Sequence, residues 1–268
     1  MEIITSAQNN KIKTYLKLQK AKQRYKHQQY TIEGWHLIEE AFNHQMDVQW
    51  VFMTQAVADT NQMKEWIVSF ENTTQFYVIS NDLVQLMKAT ETSQGIFACI
   101  GLQQLSLDDY FLKSTDANGP LLILDGIQDP GNAGTMIRSA KAFNFSGVIF
   151  SKDSVDPYND KLIRSTQGML FELPLMTESL EFTYEFLIKM GYTIYVTDLN
   201  EEAIDLQTAT FKEKTALVIG NEGQGISELS RSFAHQSLVI PMNERVESLN
   251  AGVAASIAMY TIDRSIHA

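Results

Sequence analysis

The 268-residue sequence has one cysteine, Cys99. A single thiol makes neither an internal disulfide nor a thiolate zinc cluster, and it suits a reducing compartment. Long apolar runs are also missing: no stretch approaches the ~18 residues that a membrane-spanning helix needs. The start, Met1-Glu2-Ile3-Ile4-Thr5, lacks the cationic lead of a signal peptide. The expectation is a cytoplasmic protein with no metal and no membrane partner. A third absence is local. Residues 3–32 contain no Asp or Glu and carry Lys11, Lys13, Lys17, Lys20, Lys22, Arg24 and Lys26. The overall charge of −11 is therefore +7 over residues 3–32 and −18 elsewhere. That excludes a basic coat around the whole molecule but leaves one basic arm free to meet phosphate.

What is present reads as a globular α/β chain. At 44% hydrophobic and 20% charged residues it is not disordered. Residues 8–27 have the pattern of one basic amphipathic helix. Its Lys11, Lys13, Lys17 and Lys20 are the candidate phosphate contacts, against the plainer reading of a solvated surface helix. Short apolar runs predict strands at 30–32, 48–53, 76–79 and 96–100, with helices at 35–42, 62–70 and 82–87 between them. Polar turn-formers then crowd 103–119, among them Ser114, Thr115 and Asp116, and predict a linker at 106–119 between domains at 1–105 and 120–268. In the second domain strands are predicted at 121–124, 148–150, 192–196, 216–219 and 238–240. Helices are predicted at 133–143, 159–167, 181–190 and 250–262. The strands lack polar alternation, which predicts a parallel sheet covered on both faces.

In such sheets ligands bind beyond the carboxyl ends of strands, and three strand ends carry unusual loops. The first runs Leu124-Asp125-Gly126-Ile127-Gln128-Asp129-Pro130-Gly131-Asn132-Ala133-Gly134-Thr135-Met136-Ile137-Arg138. Pro130-Gly131 forces a turn, Asn132 is a candidate helix N-cap, and Arg138 lies one to two turns into the helix. The second, Gly220-Asn221-Glu222-Gly223-Gln224-Gly225, packs three glycines and a carboxylate after an apolar strand. Its spacing is neither the dinucleotide fingerprint nor a P-loop, which disfavours a nicotinamide enzyme. The third joins Ile240-Pro241-Met242 to Val246-Glu247-Ser248-Leu249-Asn250. Ser248 or Asn250 is placed to cap the last helix, whose Ala251, Ala254, Ala255 and Ala258 form a small-residue stripe suited to a helix contact, including one across a dimer.

Taken together and in this order, the three segments resemble motifs 1, 2 and 3 of the SpoU (TrmH-like) RNA ribose 2′-O-methyltransferases. Ile32-Glu33-Gly34-Trp35-His36-Leu37-Ile38-Glu39-Glu40-Ala41 resembles the start of the substrate-binding domain many members carry. The resemblance implies a parallel α/β methyltransferase domain with a deep trefoil knot at the loops around 220–226 and 240–252, and a smaller N-terminal α/β RNA-binding domain. It implies S-adenosylmethionine as cofactor, held by Gly220, Ile240 and Leu249, with Asn221, Gly223, Gly225, Met242, Thr197 and Leu199 beside them. It implies a catalytic set of Arg138, Asn132, Glu222, Ser248 and Asn250. Arg138 is expected to stabilise the reacting oxygen, and Glu222 to fix a nearby cation. A homodimer is implied, with Arg138 reaching the partner's cofactor, and ribosomal RNA is the expected substrate ahead of transfer RNA. Arg164, in Lys161-Leu162-Ile163-Arg164-Ser165-Thr166-Gln167-Gly168, is a further candidate RNA contact. Two departures stand out: Asn144 where many members have Gly, and Ala251-Gly252 where Val-Ser is usual. The alternative is a non-catalytic RNA-binding or ribosome-assembly factor on the same fold.

Overall fold

The computed structural model describes residues 1–113, 118–243 and 245–267. Ser114, Thr115 and Asp116 of the expected linker lie outside the described residues. The chain divides into two compact units, Met1–Gln103 with Tyr158–Phe171, and Gln104–Pro157 with Glu172–Ala268.

The first unit runs β1 (Glu2–Ile4), α1 (Asn10–Lys17), α2 (Ala21–His27), β2 (Gln29–Glu33), α3 (Trp35–Asn43), β3 (Val48–Met53), α4 (Gln55–Ala58), α5 (Asn61–Phe70), β4 (Gln75–Ile79), α6 (Asn81–Met87) and β5 (Ile96–Gly101). Its five-stranded sheet has the order β1-β4-β3-β5-β2. β5 runs antiparallel to both β2 and β3, and β4 is parallel to both β3 and β1. Ile12, Tyr15 and Leu18 bury one face of the basic segment against Phe52, Tyr77, Phe97 and Cys99. Tyr15 meets the rings of Phe52 and Phe97 edge-on, at 5.9 Å in each case. Burial pushes the Cys99 thiol up, so it is a packing residue and not a nucleophile.

The single helix expected over 8–27 is two helices. α1 stops at its C-cap Leu18, and the backbone extends at Lys20 (φ −100°, ψ 129°) before α2 begins. Tertiary packing makes the break, since Leu18 is fully buried and no Gly or Pro is present. The junction Glu33-Gly34-Trp35 needs its glycine: Gly34 has φ +100°, and Gln94 Oε1 accepts from the Trp35 N–H that follows, at 2.8 Å.

The second unit begins with α7 (Leu107–Lys113), β6 (Leu121–Asp125), α8 (Pro130–Ala142) and β7 (Gly147–Ser151). The chain then contributes α9 (Asp160–Thr166) and a short 3₁₀ turn (Met169–Phe171) to the first unit. It resumes with β8 (Leu175–Glu178), α10 (Leu180–Lys189), β9 (Thr193–Thr197), β10 (Ile204–Asp205), β11 (Thr215–Gly220), α11 (Glu228–Phe233), β12 (Gln236–Val239) and α12 (Ala251–Ile266). All seven strands are parallel, in the order β10-β12-β9-β11-β6-β7-β8. Every residue of β6, β7 and β11 is buried, which is why those strands read as unbroken apolar runs.

Three expectations change here. The 106–119 linker is partly structural, because Leu107 and Tyr110 of α7 are buried in the second unit's core. Residues 158–171 group with the first unit instead of staying within a continuous 120–268 domain. There α9 packs on β2, and the Tyr158 ring meets that of Tyr30 at 4.8 Å. The alanine stripe of α12 faces inward: Ala255 and Ala258 are fully buried in the chain's own core. The outward face carries Val253, Ile257 and Tyr260 instead.

The two departures from the family pattern have local explanations. Asn144 has φ +57°, the left-handed conformation just past a helix end that Asn tolerates next best to Gly. Its Nδ2 also donates to Asp263 Oδ1 at 2.8 Å, tying α8 to α12. A Cβ at Gly252 would meet Asn250 Oδ1 at 3.2 Å and Thr135 Cβ at 3.5 Å, so a small residue suits this crossing of α8 and α12. Ser139 and Ser256 share a 2.8 Å hydrogen bond along the same contact.

Candidate active site

Strands β12, β9, β11 and β6 are neighbours in the sheet, so the loops leaving their carboxyl ends converge. The loops after β9, β11 and β12, with the start of α12, enclose a cavity of about 360 Å³. All nine residues expected to hold a cofactor line it: Gly220, Asn221, Gly223, Gly225, Ile240, Met242, Leu249, Thr197 and Leu199. Ser248 and Glu222 line it as well. Ala251 and Ala254 contribute to the wall, which accounts for the other half of the alanine stripe.

Asn221 builds the glycine loop. Its backbone N–H donates to Gly225 O and its own carbonyl accepts from Gly225 N–H, both at 2.9 Å. Asn221 Oδ1 accepts from the N–H groups of Gly223 (2.9 Å) and Gln224 (3.0 Å). Its Nδ2 donates to Gly126 O at 2.7 Å, joining the second motif to the first. Gly225 takes φ +70° to close the loop. Gly220 is required by the loop itself, because a Cβ there would collide with the backbone of Gly225 and Ile226.

A second set of bonds links all three motifs. Glu222 Oε1 accepts from the Asp129 N–H at 3.0 Å and from Asn132 Nδ2 at 3.1 Å, while Oε2 accepts from the Gln128 N–H at 3.1 Å. Asn132 Oδ1 in turn accepts from Asn250 Nδ2 at 3.0 Å. Burial acts to raise the Glu222 carboxyl, but the hydrogen bonds from Asn132, Gln128 and Asp129 outweigh it and hold the group below its ordinary value. Glu222 thus serves as an anion facing N–H donors at the start of α8, and not as the partner of a cation. The α8 N-cap is Asp129, whose Oδ1 accepts from the Asn132 N–H at 2.8 Å. Asn132 is spared that duty, which frees its side chain for the relay. Asn250 caps α12, with Oδ1 accepting from the Val253 N–H at 3.2 Å.

Arg138 is not among the described residues that line this cavity, and it is exposed on α8. Conversely, two charged wall residues escaped the sequence reading. Asp198 follows β9, and Arg231 of α11 grips it with Nε to Oδ2 at 2.7 Å and Nη2 to Oδ1 at 3.3 Å. The Arg231 hydrogen bond lowers the Asp198 carboxyl, against desolvation. Neither residue sits in a loop motif, and the pair is 33 positions apart, so spacing gave no signal.

In the first unit the candidate cations sort into two groups. Lys11 is engaged: its Nζ donates to Gln75 Oε1 at 3.0 Å and lies 4.8 Å and 4.9 Å from the ring centroids of Trp50 and Tyr77. Arg24 is buried and donates to Leu18 O at 2.8 Å. Arg164 is paired with Asp160 at 2.7 Å. Lys17 and Lys20, however, join Lys26 and His27 around one concave surface at the α1–α2 elbow. Lys13 is half-buried on α1 and does not line it. Among the described residues, no helix is long and apolar enough to cross a membrane.

The chain matches the model of the SpoU rRNA Methylase family over residues 119–260 and that of the MRM3-like substrate binding domain over residues 9–98. It is 33% identical over 260 residues to the 23S rRNA (guanosine(2553)-2′-O)-methyltransferase RlmP of Bacillus subtilis (strain 168), covering 97% of this chain and 98% of that protein. An uncharacterised tRNA/rRNA methyltransferase of Synechocystis is 30% identical over 270 residues, covering 97% of this chain and 93% of the relative. The fold matches a crystal structure of an AdoMet-bound rRNA methyltransferase from Sinorhizobium meliloti, with a TM-score of 0.85 at 24% identity over 98% of this chain and 97% of the other. The SpoU methyltransferase AviRb from Streptomyces viridochromogenes, in complex with AdoMet, matches with a TM-score of 0.84 at 24% identity over 96% and 98% of the two chains. Its three loops, its parallel sheet and its matched residues lead to one conclusion: the chain belongs to the SpoU rRNA methylase family.

Proposed function

We propose that this protein methylates a ribose 2′-hydroxyl of ribosomal RNA, with 23S rRNA as the substrate, using S-adenosylmethionine. The observation that carries the reading is the Glu222–Asn132–Asn250 relay, which ties the three motif loops together beside one cavity. That cavity falls in the range of small-molecule sites, and its wall mixes apolar side chains with backbone of the glycine loop, which suits a nucleoside with a sulfonium-linked amino-acid tail. The bound cofactor supplies an electrophilic methyl group on a sulfonium. The protein must position the 2′-oxygen and stabilise the charge that develops on it. Arg138 does the second. A guanidinium keeps its proton in proteins, so it acts as an electrostatic stabiliser and not as a base. Asn132, held by Glu222 and Asn250, orients the substrate side of the cavity, and Ser248 offers a hydroxyl at its wall.

Because Arg138 is exposed and absent from the wall of its own chain's cavity, it serves the cavity of a second copy in a homodimer. The exposed Val253, Ile257 and Tyr260 of α12, with Tyr260 edge-on to Phe143 at 5.6 Å, form the proposed interface. The loops at 220–226 and 240–252 form the trefoil knot, and the enzyme works in the cytoplasm. Lys17 and Lys20, with Lys13 beside them, contact RNA phosphate. The test is transfer of tritiated methyl from the cofactor to 23S rRNA. Arg138→Ala should lose roughly 100-fold or more in rate, with binding of S-adenosylhomocysteine unchanged. No incorporation by the wild type would favour the non-catalytic alternative, and unchanged incorporation by Arg138→Ala would remove Arg138 from the mechanism.

A further inference from the structure

We infer that Asp198 is the acceptor for the ribose diol of the bound cofactor, and that Arg231 is its positioning residue. This rests on the cofactor reading above. Among the described residues two carboxylates line the cavity, Asp198 and Glu222. Glu222 is committed to the start of α8: Oε1 receives the Asp129 N–H and Asn132 Nδ2, and Oε2 receives the Gln128 N–H. Asp198 is engaged unevenly. Its Oδ2 receives Arg231 Nε at 2.7 Å and Asn200 Nδ2 at 3.1 Å, Oδ1 receives Arg231 Nη2 at a longer 3.3 Å, and the Leu199 N–H also stabilises the carboxylate. A carboxylate oxygen offers about two acceptor positions. A ribose diol brings two hydroxyl donors, and on this wall Leu199, Ile219 and Leu238 surround Asp198, while the other carboxylate, Glu222, is committed to the start of α8. An acid just beyond a parallel strand, beside a nucleoside-sized cavity, has the placement that sugar hydroxyls need.

The pair is braced from the interior. Asp125, buried at the end of β6, accepts from the Ser227 N–H at 2.9 Å and from Ser230 Oγ at 2.6 Å. Ser227 caps α11, and the Tyr184 hydroxyl meets Ser230 Oγ at 2.6 Å. This buried network fixes the helix that carries Arg231. Arg231 then holds Asp198 with two charge-assisted bonds, keeping it ionised and in one orientation. The side chain of Asp198 is only 12% exposed, so a hydrogen bond made there is shielded from water.

The test is a double-mutant cycle between protein and ligand, read by calorimetric titration. The probes are S-adenosylhomocysteine and its 2′,3′-dideoxy form, against wild type, Asp198→Asn and Asp198→Ala, with folding checked by thermal melting. Removing the diol should weaken binding to the wild type roughly tenfold to a hundredfold, as should Asp198→Ala. The two losses should not add: Asp198→Ala should bind both probes alike. Arg231→Gln should weaken the parent probe by a smaller factor and shrink the diol discrimination, and Arg231→Lys should restore part of both. Additive losses, or full discrimination in Asp198→Ala, would overturn the proposal. So would an Arg231→Gln variant that binds 5′-methylthioadenosine as the wild type does, because that probe keeps the diol but lacks the amino-acid tail, and the pair would then read the other end of the cofactor. If the wild type fails to bind S-adenosylhomocysteine at all, it is the cofactor reading that falls.

Discussion

The two units use polar side chains in opposite ways. In the second, the polar residues of the motifs bind one another: Asn221 to Gly126, Glu222 to the start of α8, Asn132 to Asn250. In the first, a run of seven cations without an acid looks like a uniform arm, but packing consumes part of it. Lys11 lies on aromatic rings and Arg24 is buried under Leu18 O, while Lys17, Lys20 and Lys26 stay exposed. A motif is therefore a better guide than a charge count. A motif names residues that need each other, whereas a count ignores which charges the fold has already used.

The largest test of that contrast is Gly220→Ala. One added methyl collides with the Gly225 and Ile226 backbone, so the loop must move. A cost of about 2–4 kcal/mol and loss of measurable S-adenosylhomocysteine binding are expected, by thermal melting and calorimetry. If the variant melts and binds as the wild type does, the glycine loop is not the rigid element described here. Next comes the elbow. Converting Lys17, Lys20 and Lys26 to Gln should flatten the slope of log K against log salt for RNA by about 2–3, while Lys11→Gln should leave the slope nearly unchanged. Equal effects of Lys11 and the elbow lysines would restore the uniform arm. A dimer disrupted by Ile257→Glu, seen by sedimentation, should lose methyl transfer but keep cofactor binding, since Ile257 is not in the cavity wall. The smallest effect is electrostatic. Glu222 has a depressed carboxyl in the folded chain, so its contribution is present above the unfolded value and is lost as pH falls through the folded one. Glu222→Gln should cost about 1 kcal/mol near neutrality, a modest figure because the residue is exposed, and the gap to wild type should close in acid.

Much of the fold could be read from apolar runs. β3 is observed at the predicted Val48–Met53, β6 runs one residue past its predicted end, β11 one residue past both ends, and β9 is displaced by one residue. What could not be read depends on partners distant in sequence. β1 is three residues long and exists because it pairs with β4. The break at Leu18–Lys20 follows from burial of Leu18, with no local breaker to announce it. The inward turn of Ala255 and Ala258 depends on α8 lying against α12. The glycine loop stands out by its composition, whereas Ile240, Met242, Leu249, Thr197 and Leu199 are named only through the resemblance to the family. Asp198 and Arg231 give neither signal, because their meaning comes only from being opposite each other.

The excursion of residues 158–171 bears on how the chain is made. Synthesis proceeds from the N-terminus, and the first unit lacks α9 until residues up to Phe171 have emerged. At about 5–20 residues per second, the 68 residues from Gln104 to Phe171 hold that unit incomplete for roughly 3–14 s, with the β2 face that receives α9 uncovered. Two fragments cut at residue 119 would leave the first half without that helix for good and the second half with Leu162 and Ile163 stranded in water. The nascent chain is thus obliged to mature as a whole.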